Sequence, residues 1–374
     1  IYPLLSAAVR CSEDVSKQLN GSMSSETLSE YDYTLPKDLI AREPIEPRDS
    51  ARLLIYDTRT GTISFDVFRE LHRYLPPQSL LAMNDTKVLP ARLHGKRSSD
   101  NKQIELLLLV NEVDPEARSI RALVNAHLEP EECVHVGSWV FTAIGQERNV
   151  FTLRPEFSLA ELNFVLEEMG ETPTPPYLGD MELPEDELRA RYQSIVAKVP
   201  ASAAAPTASL HMTEALLAKL KEAGFGHTNV TLHVGLGTFA PVTDKQLASG
   251  RLHSEYYHIE ESSRQALCDA QHARRPICAV GTTVVRTLEA VAPQLCEGNG
   301  DIDGSTDLFI IPPYDFRAVD ALITNFHVPR SSLMALVDAF LRHRAASHTI
   351  LDLYYRAIEQ RMRFYSFGDA MLII

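Results

Sequence analysis

The sequence predicts an α/β fold: a discontinuous α/β main domain, with a mixed, partly parallel sheet flanked by helices, carrying an inserted small antiparallel β-barrel. Three observations predict it. After a Pro- and Ala-rich stretch at 172–208, strand-like runs alternate with helical periods, the pattern of βαβ units. Between about Arg92 and Glu171 the runs IELLLLV, IRALVNAHL, WVFTAI and NVFTL follow one another too closely for intervening helices, which suits a small barrel or sandwich. Finally, LLAMNDT, VTLHVGLGT, ICAVGTT and ALITNFH each end an apolar run in small polar residues and histidine. Placed at the carboxyl ends of strands, such residues occupy the edge where open α/β sheets bind ligands.

Taken in order, residues 1–22 begin without Met, hold only a short apolar stretch around Pro3 to Val9, and are expected to be a disordered or expression-derived extension; an organelle-targeting remnant is the alternative. The first part of the main domain is expected over 23–91, where the TRTG turn separates RLLIYD from TISFDVF as a hairpin. The inserted barrel follows over 92–172, and the main domain resumes over 173–374. Prolines at 173, 175 and 176 favour an extended hinge, ahead of a charged helical piece at PEDELRARYQSIV. SLHMTEALLAKLKEAGFG reads as a helix with Thr213 as N-cap, Glu214 at its positive end and Gly224 at its stop. His211 is thereby delivered just ahead of a helix. Beyond it, strands are expected at NVTLHV, ICAV, LFIIP and ALITNF, and helices at SSRQALCDAQH, VVRTLEAVA, SSLMALVDAF and LDLYYRAIEQRMRF.

Composition narrows the function. With 374 residues, 45% of them hydrophobic, a sizeable core is available, yet no apolar run approaches the roughly 18 residues of a membrane span, so a soluble protein is expected. A net charge of −14 argues against a broad grip on nucleic acid; any such partner is held locally. Cys11, Cys133, Cys268, Cys278 and Cys296 are scattered without a CxxC pair, so neither a disulfide framework nor a zinc knuckle is expected, and a reducing cytoplasm fits. There is no G-x-S-x-G elbow, Walker loop or EF-hand loop.

In AVGTTVVRTLEA a Gly-Thr-Thr turn between strand and helix places backbone N–H groups and hydroxyls at a positive helix end, suited to a carboxylate or phosphate; Thr283 as a plain N-cap is the simpler reading. The G-x-G of HVGLGTF lacks the remainder of a dinucleotide fingerprint, and no nicotinamide cofactor is inferred. His211, His233, His253 and His327 stand beside turn residues, where a histidine is either a proton carrier or a satisfied structural group. Their spacings match no zinc signature, so no metal is expected. Glu255 would share a strand face with His253 and orient it or act as base. Residue types alone define a small-molecule enzyme on an α/β sheet.

The same strings go further. AAAPTASLH (203–211), TLHVGLGTFAPV (231–242), LHSEYY (252–257), AVGTTVVRTLEA (279–290), DALITNFHVPRSSLMALVDAF (320–340) and FYSFGDAML (364–372) resemble, in order and spacing, the S-adenosylmethionine:tRNA ribosyltransferase-isomerase family of the queuosine pathway. DYTLPKDLIAREPIEPRDSARLL and LLAMNDTKVLPARLHGK extend the likeness over nearly everything after Tyr31. The resemblance implies transfer and isomerisation of the ribosyl part of S-adenosylmethionine onto 7-aminomethyl-7-deazaguanine at a tRNA wobble position. Epoxyqueuosine forms, and adenine and methionine leave. It also implies the barrel-interrupted architecture and a cytoplasmic, monomeric enzyme working without metal on a tRNA anticodon stem-loop.

Carried onto this chain, the resemblance implies proton-transfer roles for His211, His233, His253 with Glu255, and His327. Thr282, Thr283 and Arg286 would hold the methionine carboxylate or a phosphate, and Thr238, Asn325 and Asp369 would fix ribose or base edges. Thr207, Gly235, Gly237 and Gly281 complete the expected S-adenosylmethionine site, while Lys87, Arg92, Lys96 and Arg97 are the expected tRNA contacts. The chain departs from the family where Ala201, Ser209 and Pro313 replace glycine, where Met212 replaces an aromatic, and where Asn125, Glu129, Glu131 and Glu132 make a usually basic barrel segment acidic. These departures motivate a second reading, a diverged paralogue that binds S-adenosylmethionine or another nucleoside without modifying tRNA.

Overall fold

The computed structural model describes residues 26–179, 183–235 and 242–374; the expectations for residues 1–22 and for Gly237 and Thr238 lie outside the described residues. The hairpin read from the sequence is present as β1 (Arg52–Asp57) and β2 (Thr62–Val67), followed by β3 (Leu80–Asn84) and β4 (Thr86–Val88). Then come β5 (Arg92–Arg97), β6 (Gln103–Asp114), β7 (Ser119–Val124), β8 (Cys133–Val136), β9 (Trp139–Glu147) and β10 (Val150–Pro155). These six are paired antiparallel in the order β5-β6-β7-β10-β9-β8, and β8 returns to β5 through Lys96↔His135 and Arg97↔Val134. A closed barrel results, filled by Leu93, Leu106, Leu108, Ile120, Val134 and Phe141. Closure removes the unpaired edges that runs so apolar would otherwise expose.

The chain then passes β11 (Gly170–Glu171), the helix Glu185–Arg191 and β12 (Val199–Ser202). It continues through β13 (Gly226–Leu232), β14 (Arg251–Ile259), β15 (Ile277–Val280), β16 (Ile302–Leu308), β17 (Ala321–Asn325) and β18 (Ala370–Ile373). Among the described residues the main sheet has the order β16-β14-β13-β3-β15-β17-β18-β1-β2. Its centre, β13-β3-β15-β17, is parallel, and both flanks add antiparallel pairs. The mixed sheet and the inserted barrel are those expected from the sequence.

Strand side chains alternate between two cores. Leu54, Ala82, Val230, Ala279 and Leu322 face the helices Glu261–His272, Thr282–Val291, Ser332–His343 and Ile350–Glu359. Leu53, Leu81, Cys278, Val280 and Ile323 face the helix Glu214–Glu222 and the turn Phe68–Arg73. Burial on both faces accounts for the near-continuous apolar runs of β3, β15 and β17.

Three details differ from the sequence reading. The strand expected at LFIIP lies one run earlier: β16 is IDGSTDL, a sheet-edge strand with one solvated face, so its alternation is polar, while Phe309, Ile310 and Ile311 are buried core residues. The helix expected over PEDELRARYQSIV ends at Arg191. Cys268 and Cys296 are joined as a disulfide with Cα atoms 5.5 Å apart, a pairing that spacing alone did not announce.

Candidate active site

Parallel β3, β13, β15 and β17 bring Asn84, Leu232, Val280 and Asn325 to one sheet edge. β18 runs the other way and pairs Ala370 with Asn325, which returns Asp369 to the same edge. The polar strand ends singled out from the sequence therefore share a boundary of the sheet.

At the end of β17, the buried Asn325 organises a first cluster. Its Oδ1 accepts from Thr207 Oγ1 (2.9 Å), and its Nδ2 lies 3.4 Å from both His211 Nε2 and the Tyr365 carbonyl. Thr207 and His211 open and close a single tight turn, Thr207–His211, led by Pro206. That turn lies over Gly281, where an added Cβ would come within 3.6 Å of the Ala208 methyl; Gly281 itself has φ +100°, a conformation that glycine adopts without strain. Burial lowers the His211 pKa to about 3, and the Arg363 and Arg48 charges add to the effect. Tyr365 has φ +72°, an uncommon conformation for a bulky side chain, and its ring lies 4.7 Å from that of Tyr177.

A second cluster centres on Asn84. Its Nδ2 donates to the Leu232 carbonyl (2.9 Å), its Oδ1 accepts from Leu232 N and Thr86 N (both 3.1 Å), and Thr283 Oγ1 lies 3.5 Å from Nδ2. One amide thus ties the ends of β3 and β13 to the start of the helix Thr282–Val291. Next along β13, His233 Nδ1 lies 2.9 Å from Thr86 Oγ1, and its ring stacks on Tyr256. Burial, with the nearby His258, lowers the His233 pKa to about 4. Both imidazoles are neutral at pH 7 and offer a nitrogen lone pair or a neutral N–H.

The other expected site residues stand differently. His327 belongs to the opposite face of β17: Nε2 pairs with Thr324 Oγ1 (2.8 Å), while its backbone is held by Tyr354 and Tyr33 hydroxyls (2.7 and 2.5 Å). Burial lowers its pKa to about 4. Glu255 does not orient His253: its Oε1 accepts from Gly235 N (3.1 Å) and its Oε2 is bound by Arg286 Nη1. Arg286, expected to meet a substrate anion, is buried in that ion pair and also donates to the Leu308 carbonyl (3.0 Å). Asp369 braces the chain, accepting from Arg52 N (2.9 Å) and Arg363 N (2.8 Å). Thr282 is buried at the first position of its helix.

Of the four basic residues expected to meet tRNA, Arg92 donates to the Thr174 carbonyl and lies 3.7 Å from Glu105, and Arg97 is paired with Asp100 and Glu132. Lys87 and Lys96 remain exposed. The sequence reading named neither Asn84, Thr86 nor Tyr365 as site residues, although LLAMNDT and FYSFGDAML, which contain them, were among the strings it selected. Among the described residues no group of three or more His, Cys, Asp or Glu could hold a metal ion, and no helix is long and apolar enough to cross a membrane.

Fold and polar clusters together have the form of an enzyme built on the carboxyl edge of a mixed α/β sheet, with a barrel inserted between two of its strands. The family model described as queuosine biosynthesis protein matches residues 28–373. The S-adenosylmethionine:tRNA ribosyltransferase-isomerase of Carboxydothermus hydrogenoformans is 42% identical, over 93% of this chain and 99% of that relative; its namesake from Rubrobacter xylanophilus is 43% identical, over 92% and 97%. The crystal structure of S-adenosylmethionine tRNA ribosyltransferase from Thermotoga maritima matches with a TM-score of 0.52 at 32% identity, covering 92% of this chain and 100% of that one. The chain belongs to the queuosine biosynthesis family of transferase-isomerase enzymes.

Proposed function

We propose that the chain transfers and isomerises the ribosyl moiety of S-adenosylmethionine onto 7-aminomethyl-7-deazaguanine at the tRNA wobble position, yielding epoxyqueuosine-tRNA, adenine and methionine. The amine nitrogen bonds to the ribosyl unit, and the electron pair freed by deprotonation beside the sulfonium forms the new carbon–carbon bond of the ring. The ribose ring oxygen exchanges one carbon–oxygen bond for another to close the epoxide, and the ribosyl–adenine and carbon–sulfur bonds break with their electron pairs leaving on adenine and methionine. A base must take a proton beside the sulfonium, and adenine must receive one. His211 and His233 are the proton-transfer candidates, both neutral at pH 7 with burial making them weak bases in this structure, and Asn325 and Thr207 are suited to hold ribose hydroxyls or a base edge. Thr283 and the turn at Gly281 present polar groups at a helix start for the methionine carboxylate.

The observation that carries this reading is the convergence of Thr207, His211, Gly281 and Asn325, and of Asn84, His233 and Thr283, along one sheet edge in a chain of this family. Four of the departures that motivate a non-modifying paralogue are absorbed locally. Glu131 and Glu132 meet Arg154 and Arg97, Ser209 Oγ donates to the Pro206 carbonyl (2.7 Å), and Met212 packs in the core. The test is incubation with S-adenosylmethionine and tRNA bearing the aminomethyl-deazaguanine, followed by nucleoside mass spectrometry. Epoxyqueuosine with released adenine supports the reading, and folded protein that binds S-adenosylmethionine without turnover supports the paralogue.

A further inference from the structure

The His233 imidazole is held from two directions. Its Nδ1 is committed to Thr86 Oγ1 (2.9 Å), which leaves Nε2 as the ring nitrogen without a hydrogen-bond partner among the described residues. One face of the ring is covered by the Tyr256 ring, with centroids 5.8 Å apart and planes 18° from parallel. The backbone fixes the two residues to each other, because His233 N–H donates to the Tyr256 carbonyl (3.0 Å) just beyond the paired Leu232 and Tyr257 of β13 and β14. Tyr256 is itself 37% exposed, so core packing alone does not set its ring. Its hydroxyl donates to Asp303 Oδ1, and the same oxygen lies 2.8 Å from His258 Nδ1. Asp303 stands on the edge strand β16 directly opposite His258 of β14, diagonal to Tyr256 on the same face of the strand pair. Burial and the Asp303 bond raise the Tyr256 pKa, which keeps the phenol a donor.

A single hydrogen bond at Nδ1 lets an imidazole pivot. A flat neighbour against one face removes that freedom, and small misplacements of a proton-transfer group cost rate. We propose that Tyr256, tethered by Asp303, is a positioning residue for the His233 imidazole, keeping Nε2 in place for proton transfer with the substrate. This rests on the proposed reaction, in which His233 is a proton-transfer candidate. It gives β16, at the border of the sheet, a part in turnover through Asp303.

The test is steady-state kinetics with S-adenosylmethionine and tRNA bearing the aminomethyl-deazaguanine, separating kcat from KM for each variant. Tyr256→Leu, which removes the flat ring, should lower kcat about tenfold or more while KM for either substrate changes less than about twofold. Tyr256→Phe and Asp303→Ala should each lower kcat about threefold, and the double variant no further, because both remove the same hydrogen bond. Arg251→Gln is the control: it breaks the Arg251–Asp307 pair (3.1 Å) between the same two strands and should leave kcat and KM unchanged. Tyr256→Phe keeps the ring, so the test stands even where Tyr256→Leu folds poorly; wild-type kcat in both Tyr256→Phe and Asp303→Ala overturns the tether. An equal fall of kcat in Arg251→Gln assigns the effect to strand pairing and overturns it as well. Wild-type kcat in Tyr256→Leu, with His233→Gln inactive, overturns the positioning role alone. Wild-type turnover in His233→Gln overturns the proton-transfer role of His233 and the positioning role with it, and a wild-type chain without turnover overturns both together with the proposed reaction.

Discussion

Removing the charge of Glu255 should unfold the site before it affects any ligand. Glu255 and Arg286 are 5% and 8% exposed as side chains, and each is the other's only ion-pair partner among the described residues. Breaking such a pair from one side strands a buried charge and costs about 3–5 kcal/mol. Glu255→Gln retains an oxygen for Gly235 N–H and leaves Arg286 its bond to the Leu308 carbonyl, so about 3 kcal/mol is expected. Glu255→Ala also orphans the Gly235 N–H and should lose about 1–3 kcal/mol more. Arg286→Met should cost a similar amount to Glu255→Gln, and the double variant Glu255→Gln/Arg286→Met should recover about 2 kcal/mol or more relative to the sum. The assay is urea unfolding followed by far-UV circular dichroism, because the single tryptophan, Trp139, reports on the barrel. If both single variants keep wild-type stability and Arg286→Met loses only S-adenosylmethionine affinity, Arg286 belongs to a ligand and the structural role argued here is wrong.

Other consequences are direct. His211 and His233 titrate near 3 and 4 when folded against an ordinary value of 6.5, so their contribution to stability is fully present above pH 6.5 and is lost as pH falls toward 4. Each accounts for roughly 3 kcal/mol on that path; His233→Gln should flatten the urea-midpoint profile between pH 6.5 and 4.5, and an unchanged profile would show that the imidazole already carries a proton. His327→Ala removes a buried ring as well as the Thr324 contact and should cost about 2 kcal/mol in urea unfolding, while His327→Gln, which keeps a polar group there, should cost about 1 kcal/mol or less. A turnover loss with intact stability would make this imidazole a participant. Asn84→Ala should lower turnover by about tenfold or more, and Asn84→Asp should rescue little, because only the amide both donates to the Leu232 carbonyl and accepts from its N–H. Wild-type rates in Asn84→Ala would remove it from the site.

The architecture was readable because its signals are local. Periods of apolar residues, the Thr213 cap and the Gly224 stop at φ +89° all act within a few residues. β16 escaped because an edge strand with one wet face carries little hydrophobic signal. In the candidate site, the selected strings do come together at one sheet edge, but they carry no sign of which side chains are paired there. Glu255 and Arg286 are separated by two secondary-structure elements and a loop, so no pattern in LHSEYY or VVRTLEA shows that they neutralise each other. Asn84 looked like one more polar residue after a strand; its reach to Leu232 depends on the parallel register of β3 and β13, which only the folded sheet defines.

A single substrate cleft at the carboxyl edge of the main sheet is tested most directly by hydrogen–deuterium exchange with and without S-adenosylmethionine. Protection should concentrate in peptides covering 80–86, 203–211, 277–286, 321–327 and 364–370. Protection confined to the barrel strands, or to the opposite ends of β3, β15 and β17, would contradict it.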